Sequence, residues 1–146
     1  MNFPILSSLI LLPTIGALFL FFSKSEKDNS ITVKYVALFT SIVNFLISIY
    51  LWILFDESTS DFQFVENRIW IEGFLNYKVG IDGISILFIV LTTFITPLCI
   101  ISVNNSIKNR LNEFLIAILI MESFMIGVFC SLDLVVFYLF FEAGLI

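Results

Sequence analysis

From Phe3 to Phe22 the chain runs for about 20 residues without a charged side chain. A helix of that length is what a hydrocarbon core about 30 Å thick requires. No water is available there, so each backbone N–H and C=O must be satisfied inside the segment. Four further apolar runs follow, at 35–55, 84–103, 112–130 and 132–146. The chain is 60% hydrophobic with a mean hydropathy of +1.08. Soluble domains average roughly 45–50% apolar, and the excess is too large for a surface that faces water. The reading is an all-α polytopic membrane protein with five transmembrane helices.

The first run has no basic region before it and no small-residue cleavage site before Lys24, so it reads as a retained helix. Pro13 lies within it, with Ser8 and Thr14 at hand for the carbonyl that proline frees. The second run carries Asn44 and Ser48, groups suited to hydrogen-bond a neighbouring helix, and Tyr50 and Trp52 as interfacial aromatics. In the third run Thr92, Thr93, Thr96 and Pro97 predict a kink satisfied by threonine hydroxyls.

Between the second and third runs, Asp56–Asp82 is polar and acidic. Its alternating stretch FQFVENRIWIEGF predicts a hairpin lying on the membrane surface, with Gly73, Gly80 and Gly83 as turn residues. The other links are basic: Lys24, Lys27 and Lys34 in one, Lys108 and Arg110 in the other. The positive-inside rule places these in the cytoplasm or matrix, and the N-terminus, the hairpin and the Ser131 turn outside.

The fourth and fifth runs each hold a carboxylate, Glu122 and Glu142. Asp133 stands where it caps the fifth helix. On antiparallel helices joined near Ser131, both glutamates fall near mid-membrane at matched depth, and the spacing leaves open whether their faces converge. An ionisable group at that depth costs on the order of 2.5–3.5 kcal/mol, which makes it a functional candidate by default. A carboxyl that binds and releases protons is what a relay needs, so Glu142 and Glu122 are the candidate catalytic residues. Tyr138, four residues before Glu142, shares its helical face and can hydrogen-bond it. No lysine or arginine lies within a run, so a basic partner must come from elsewhere. The fifth run is shorter than a full crossing, which reads as the N-terminal portion of a longer protein.

Other chemistry is excluded. Seven Lys+Arg in short links and a net charge of −5 do not make a nucleic-acid surface. There is no His and no Cys cluster, hence no metal site. Cys99 and Cys130 fall near opposite membrane faces and read as unpaired, buried apolar fillers.

Two blocks, VGIDGISILFIVLTTFITPLCI (79–100) and MESFMIGVFCSLDLVVFYLFFEAGLI (121–146), closely resemble the chain 4 (subunit M) family of proton-translocating NADH–quinone oxidoreductase, respiratory complex I. FQFVENRIWI (62–71) fits the family's first long loop, and FFEAGLI is the most specific element. The resemblance implies a membrane-arm subunit of fourteen helices with two inverted five-helix repeats. It implies that Glu142 is an essential proton-channel residue, that Glu122 is a second functional acid, and that partner lysines sit on helices beyond residue 146. It places NADH, FMN, iron–sulfur clusters and quinone in partner subunits, with no cofactor in this chain. The implied partners are the other membrane-arm subunits, especially the adjacent antiporter-like ones, in a bacterial inner or mitochondrial inner membrane. Two alternatives remain at this point: a subunit of an Mrp-type cation/proton antiporter, or a truncated, non-pumping remnant.

Overall fold

A computed structural model describes residues 4–22, 30–71, 75–103 and 110–146. Five helices and one hairpin follow in order: α1 (Ile5–Phe22), α2 (Ser30–Leu54), β1 (Gln63–Ile71), β2 (Leu75–Ile81), α3 (Gly83–Ser102), α4 (Leu111–Cys130) and α5 (Leu134–Leu145). Among the described residues, four helices are long and apolar enough to cross a membrane, and α5 is a shorter apolar helix. The fold is that of a polytopic membrane protein. Helix α2 begins at Ser30, five residues before the apolar run, because Ile31, Thr32 and Val33 continue the helix past Lys34. Lys24, Lys27, Lys108 and the Gly73 turn lie outside the described residues.

Helix α4 is the centre of the bundle and packs against each of the other four. Two apolar clusters hold the bundle. Near the hairpin, Leu6, Leu9, Leu51, Val79, Ile81, Ile89 and Ile126 are fully buried together. At the other end, Leu20, Ala37, Ile100, Leu115 and Leu119 form the second cluster. Helices α1 and α2 meet at Gly16, where an added Cβ would lie 2.6 Å from the Thr40 methyl. A small residue at such a crossing is how membrane helices approach closely.

The prolines leave the helices continuous. The hydroxyls proposed to compensate them go elsewhere. Ser8 donates to Ile5 O and Thr14 to Leu11 O, and neither reaches the Leu9 carbonyl opposite Pro13. Thr92, Thr93 and Thr96 donate to Phe88 O, Ile89 O and Thr92 O, and none reaches the Thr93 carbonyl opposite Pro97. Each of these hydroxyls turns back to the carbonyl three or four residues before it, and from those positions the carbonyl opposite the proline is out of reach.

The hairpin is antiparallel, with a bulge between Gln63 and Glu66 where Phe64 takes φ 53°. It caps one end of the bundle at three points. Glu66 accepts from the Leu6 amide at 2.9 Å, the Ser7 amide at 3.3 Å and the Ser7 hydroxyl. These amides belong to the first turn of α1, whose N–H groups have no partner within the helix. A carboxylate there satisfies them and matches the helix dipole. Tyr77 joins the cluster through Ser7 Oγ at 3.1 Å, and burial raises its phenol above the usual range. Asp82 closes the hairpin and caps α3, accepting from Ser85 N at 2.7 Å. The Ser85 hydrogen bonds hold its carboxyl below the usual range. Ser131 bridges Val79, and Leu132 N donates to Lys78 O at 2.9 Å, so the α4–α5 connection adds to β2. Gly80 is therefore no turn residue. It lies inside β2, where an added Cβ would meet Leu132 at 2.7 Å.

Glu66→Ala is expected to remove this distant cap and destabilise the N-terminus of α1 by about 1 kcal/mol, up to ~2 for a partly buried site. A lower melting temperature in detergent, with Glu66→Gln intermediate, is the measurement.

Candidate functional site

Helix α2 places Ser41, Asn44 and Ser48 at intervals of three and four, so all three lie on one face. Each is fully buried. Ser48 meets Thr93 of α3 at 2.7 Å, and Asn44 Nδ2 donates to Glu122 Oε1 of α4 at 2.8 Å. On the far side of α4, Ser123 donates to Ile10 O of α1 at 2.5 Å. The expectation that Asn44 and Ser48 bind neighbouring helices is met by these two contacts. The result is a polar seam through the middle of an otherwise apolar bundle.

Glu122 is the only carboxylate in that seam among the described residues. It is 2% exposed, and Oε2 has no hydrogen-bond partner; nor does Asn44 Oδ1. No lysine or arginine among the described residues pairs with it. Arg110 pairs instead with Glu113, at the exposed start of α4.

Glu142 is placed differently. Helix α5 packs on α4 through Phe140, whose ring lies over Gly127, and through Gly144 beside the Cβ of Phe124. At about 100° per residue, Glu142 projects roughly opposite to Phe140 and Gly144. It is half-buried, and among the described residues it has no hydrogen-bond partner. Tyr138 shares its face, is exposed, and makes no hydrogen bond to it. By the same rotation, Glu122 projects roughly opposite to Phe124 and Gly127. The two glutamates therefore point away from each other, with the α4–α5 interface between them. They are not level either. The Phe124–Gly144 contact sets Glu142 beside Ile126, about one turn or ~6 Å nearer the hairpin than Glu122. The packing answers the facing that the spacing left open, and it corrects the matched depth of the sequence reading. Helical rotation decides the first, and the extended Ser131–Asp133 link, pulled into the hairpin, decides the second.

Asp133 caps α5 as expected, accepting from Val135 N at 2.8 Å. Cys130 is buried, but Cys99 is exposed on α3, so only one of the two is a filler. Among the described residues no group of three or more His, Cys, Asp or Glu could hold a metal ion.

The profile of the family described as NADH-ubiquinone oxidoreductase chain 4, amino terminus, matches residues 8–128. The chain belongs to this family. It is 46% identical over 142 residues to NADH-ubiquinone oxidoreductase chain 4 of Marchantia polymorpha, covering 97% of this chain and 28% of that protein. It is 47% identical to NADH-quinone oxidoreductase subunit M of Rickettsia conorii, covering 100% of this chain and 30% of that protein. With the subunit M of Rhodobacter capsulatus it shares 56% identity over 113 residues, 77% of this chain and 22% of the relative. The chain thus spans under a third of these chain 4 relatives.

Asn44, as the amide that holds Glu122, and Glu66 are residues that the sequence reading does not find. The 41–44–48 polar spacing on an apolar helix was the available signal for the first. Nothing local signals the second, because the α1 partners of Glu66, Ser7 and Leu6, lie 59 and 60 residues away in the chain.

Proposed function

We propose that this chain forms the amino-terminal part of a membrane-arm subunit of proton-translocating NADH:quinone oxidoreductase, and that Glu122 and Glu142 carry protons at two separate stations. NADH, flavin, iron–sulfur and quinone chemistry then belongs to other subunits, and this chain's neighbours are membrane-arm subunits, especially the adjacent antiporter-like ones. The membrane is a bacterial inner or mitochondrial inner membrane, with the hairpin outside and the end bearing Lys34 and Arg110 in the cytoplasm or matrix. The observation that carries this reading is Glu122: an acid 2% exposed within a membrane-crossing helix, held by one amide and by no basic group among the described residues. Burying such a group costs several kcal/mol and offers the fold little in return.

The test uses the intact assembly in inverted membrane vesicles. Glu122→Gln keeps the shape and the Asn44 contact but cannot titrate. NADH-driven proton uptake is expected to fall several-fold while the subunit stays assembled. Uptake at the wild-type rate removes Glu122 from the path. Loss of membrane NADH oxidation on deleting the subunit supports the oxidoreductase reading. Unchanged oxidation with loss of cation/proton exchange supports an antiporter instead.

A further inference from the structure

The two unpartnered buried atoms of the polar seam belong to one pair of residues. Asn44 and Glu122 meet at Nδ2 and Oε1, 2.8 Å apart, while Asn44 Oδ1 and Glu122 Oε2 are both left over. Each side chain ends in a planar fork carrying two polar atoms. The terminal torsions of both are broad and soft, so with one pair of prongs in contact, rotation about those torsions can bring the other pair together.

While the acid is ionised, both leftover atoms are acceptors, and they repel. What they lack is a donor, and the neighbouring hydroxyls are engaged elsewhere. Ser41 donates to Leu38 O and Ser123 to Ile10 O. Ser48 and Thr93 bond each other and the carbonyls of their own helices. The charged groups of the packed elements lie away from the pair. Helices α1 and α3 contain no charged residue. The lysine of α2, Lys34, precedes Asn44 by about 15 Å along the helix. Glu113 of α4 pairs with Arg110 at the exposed start of that helix, and Glu142 of α5 projects on the far side of the α4–α5 interface.

We propose that Asn44 is the positioning residue of Glu122, closing a two-point amide–carboxylic acid pair. In it, Asn44 Nδ2 donates to Oε1 and a proton on Oε2 donates to Asn44 Oδ1. One proton then satisfies both leftover atoms, each of which would otherwise cost its full desolvation penalty. When that proton passes to water, the O–H electron pair stays on Oε2, the second contact breaks, and Nδ2 alone holds the carboxylate. The pair thus fixes which oxygen carries the proton and the plane in which the carboxyl lies. An amide suits this role because it offers a donor and an acceptor side by side, which a hydroxyl does not.

The inference rests on the proposed proton role of Glu122 only in requiring that the acid hold a proton. Its test is infrared difference spectroscopy on the intact assembly in membranes. The carboxylic acid C=O band of Glu122 is the one that Glu122→Gln removes and that deuterium exchange shifts. Asn44→Leu, close in shape but unable to hydrogen-bond, is expected to move this band to higher wavenumber, since the carbonyl loses its donor and the O–H its acceptor. Ser48→Ala, which alters the same seam without touching the pair, is expected to leave the band in place. Should Asn44→Leu fail to assemble, Asn44→Thr takes its place: one hydroxyl cannot serve both oxygens, and an upward shift is again expected. A Glu122 acid band that stays put in the Asn44 variants, that moves equally in Ser48→Ala, or that is absent at neutral pH and below overturns the pair. Pumping is a separate readout: wild-type proton uptake by Glu122→Gln removes the relay role, and the band still decides the pair.

Discussion

Glu142→Gln in the intact assembly is expected to lower NADH-driven proton translocation by about tenfold or more, with the subunit still inserted and assembled. The magnitude follows from losing a positioned acid–base group, worth about 10²–10⁴-fold in a proton-transfer step. Glu142 has no hydrogen-bond partner among the described residues, and it sits on the face of α5 turned away from α4. Removing its charge therefore breaks no internal contact described. It also relieves an insertion cost on the order of 2.5–3.5 kcal/mol. A purely structural view predicts neutral or improved stability and unchanged pumping, and the proposed role predicts the same stability and lost pumping. Glu142→Asp keeps the titratable group and should retain part of the activity. Wild-type proton uptake by Glu142→Gln vesicles would end this assignment.

Gly127→Val is expected to have the largest effect on stability. A Cβ at Gly127 would lie 2.7 Å from Phe140 Cγ and 2.8 Å from both Cδ atoms. That is far inside van der Waals contact, and the obstacle is a ring held between helices. Phe140 also packs against Phe124, with ring centroids 6.4 Å apart, so it has little room to withdraw. Overpacking of this kind costs about 1–3 kcal/mol or more. The strain should push α5 off α4 and carry Glu142, two residues from Phe140, out of position. A lower melting temperature and reduced proton uptake are the expected readouts. Adding Phe140→Ala to Gly127→Val should recover much of the stability, since the contact that resists the new methyls is gone. If the single variant melts like wild type, the close α4–α5 approach is wrong.

The two expectations separate because they concern opposite sides of α5. Gly127 and Phe140 define the side that holds the helix in the bundle, and Glu142 marks the side left for chemistry or for a partner. The functional reading has changed with the geometry. Two carboxylates on either side of a helix–helix interface, about one turn apart in depth, cannot share a proton directly. In the proposed function they are separate stations. Glu122 has Asn44 beside it, and among the described residues Glu142 has no hydrogen-bond partner.

The sequence alone determined the membrane class, the helices and the hairpin, because length and charge decide whether a segment can enter hydrocarbon and alternation decides whether it can pair as strands. It also determined the Asp133 cap and the helix-to-helix role of Asn44 and Ser48, since both follow from a polar group's place on one helix. Only the tertiary structure decided that Glu66 caps a helix 60 residues away, that Ser131 joins the hairpin, and that Glu122 and Glu142 face apart. Each depends on rotation and offset between elements. Apolar helices that are nearly uniform around their circumference leave those two quantities unmarked, and packing contacts such as Gly127 with Phe140 fix them.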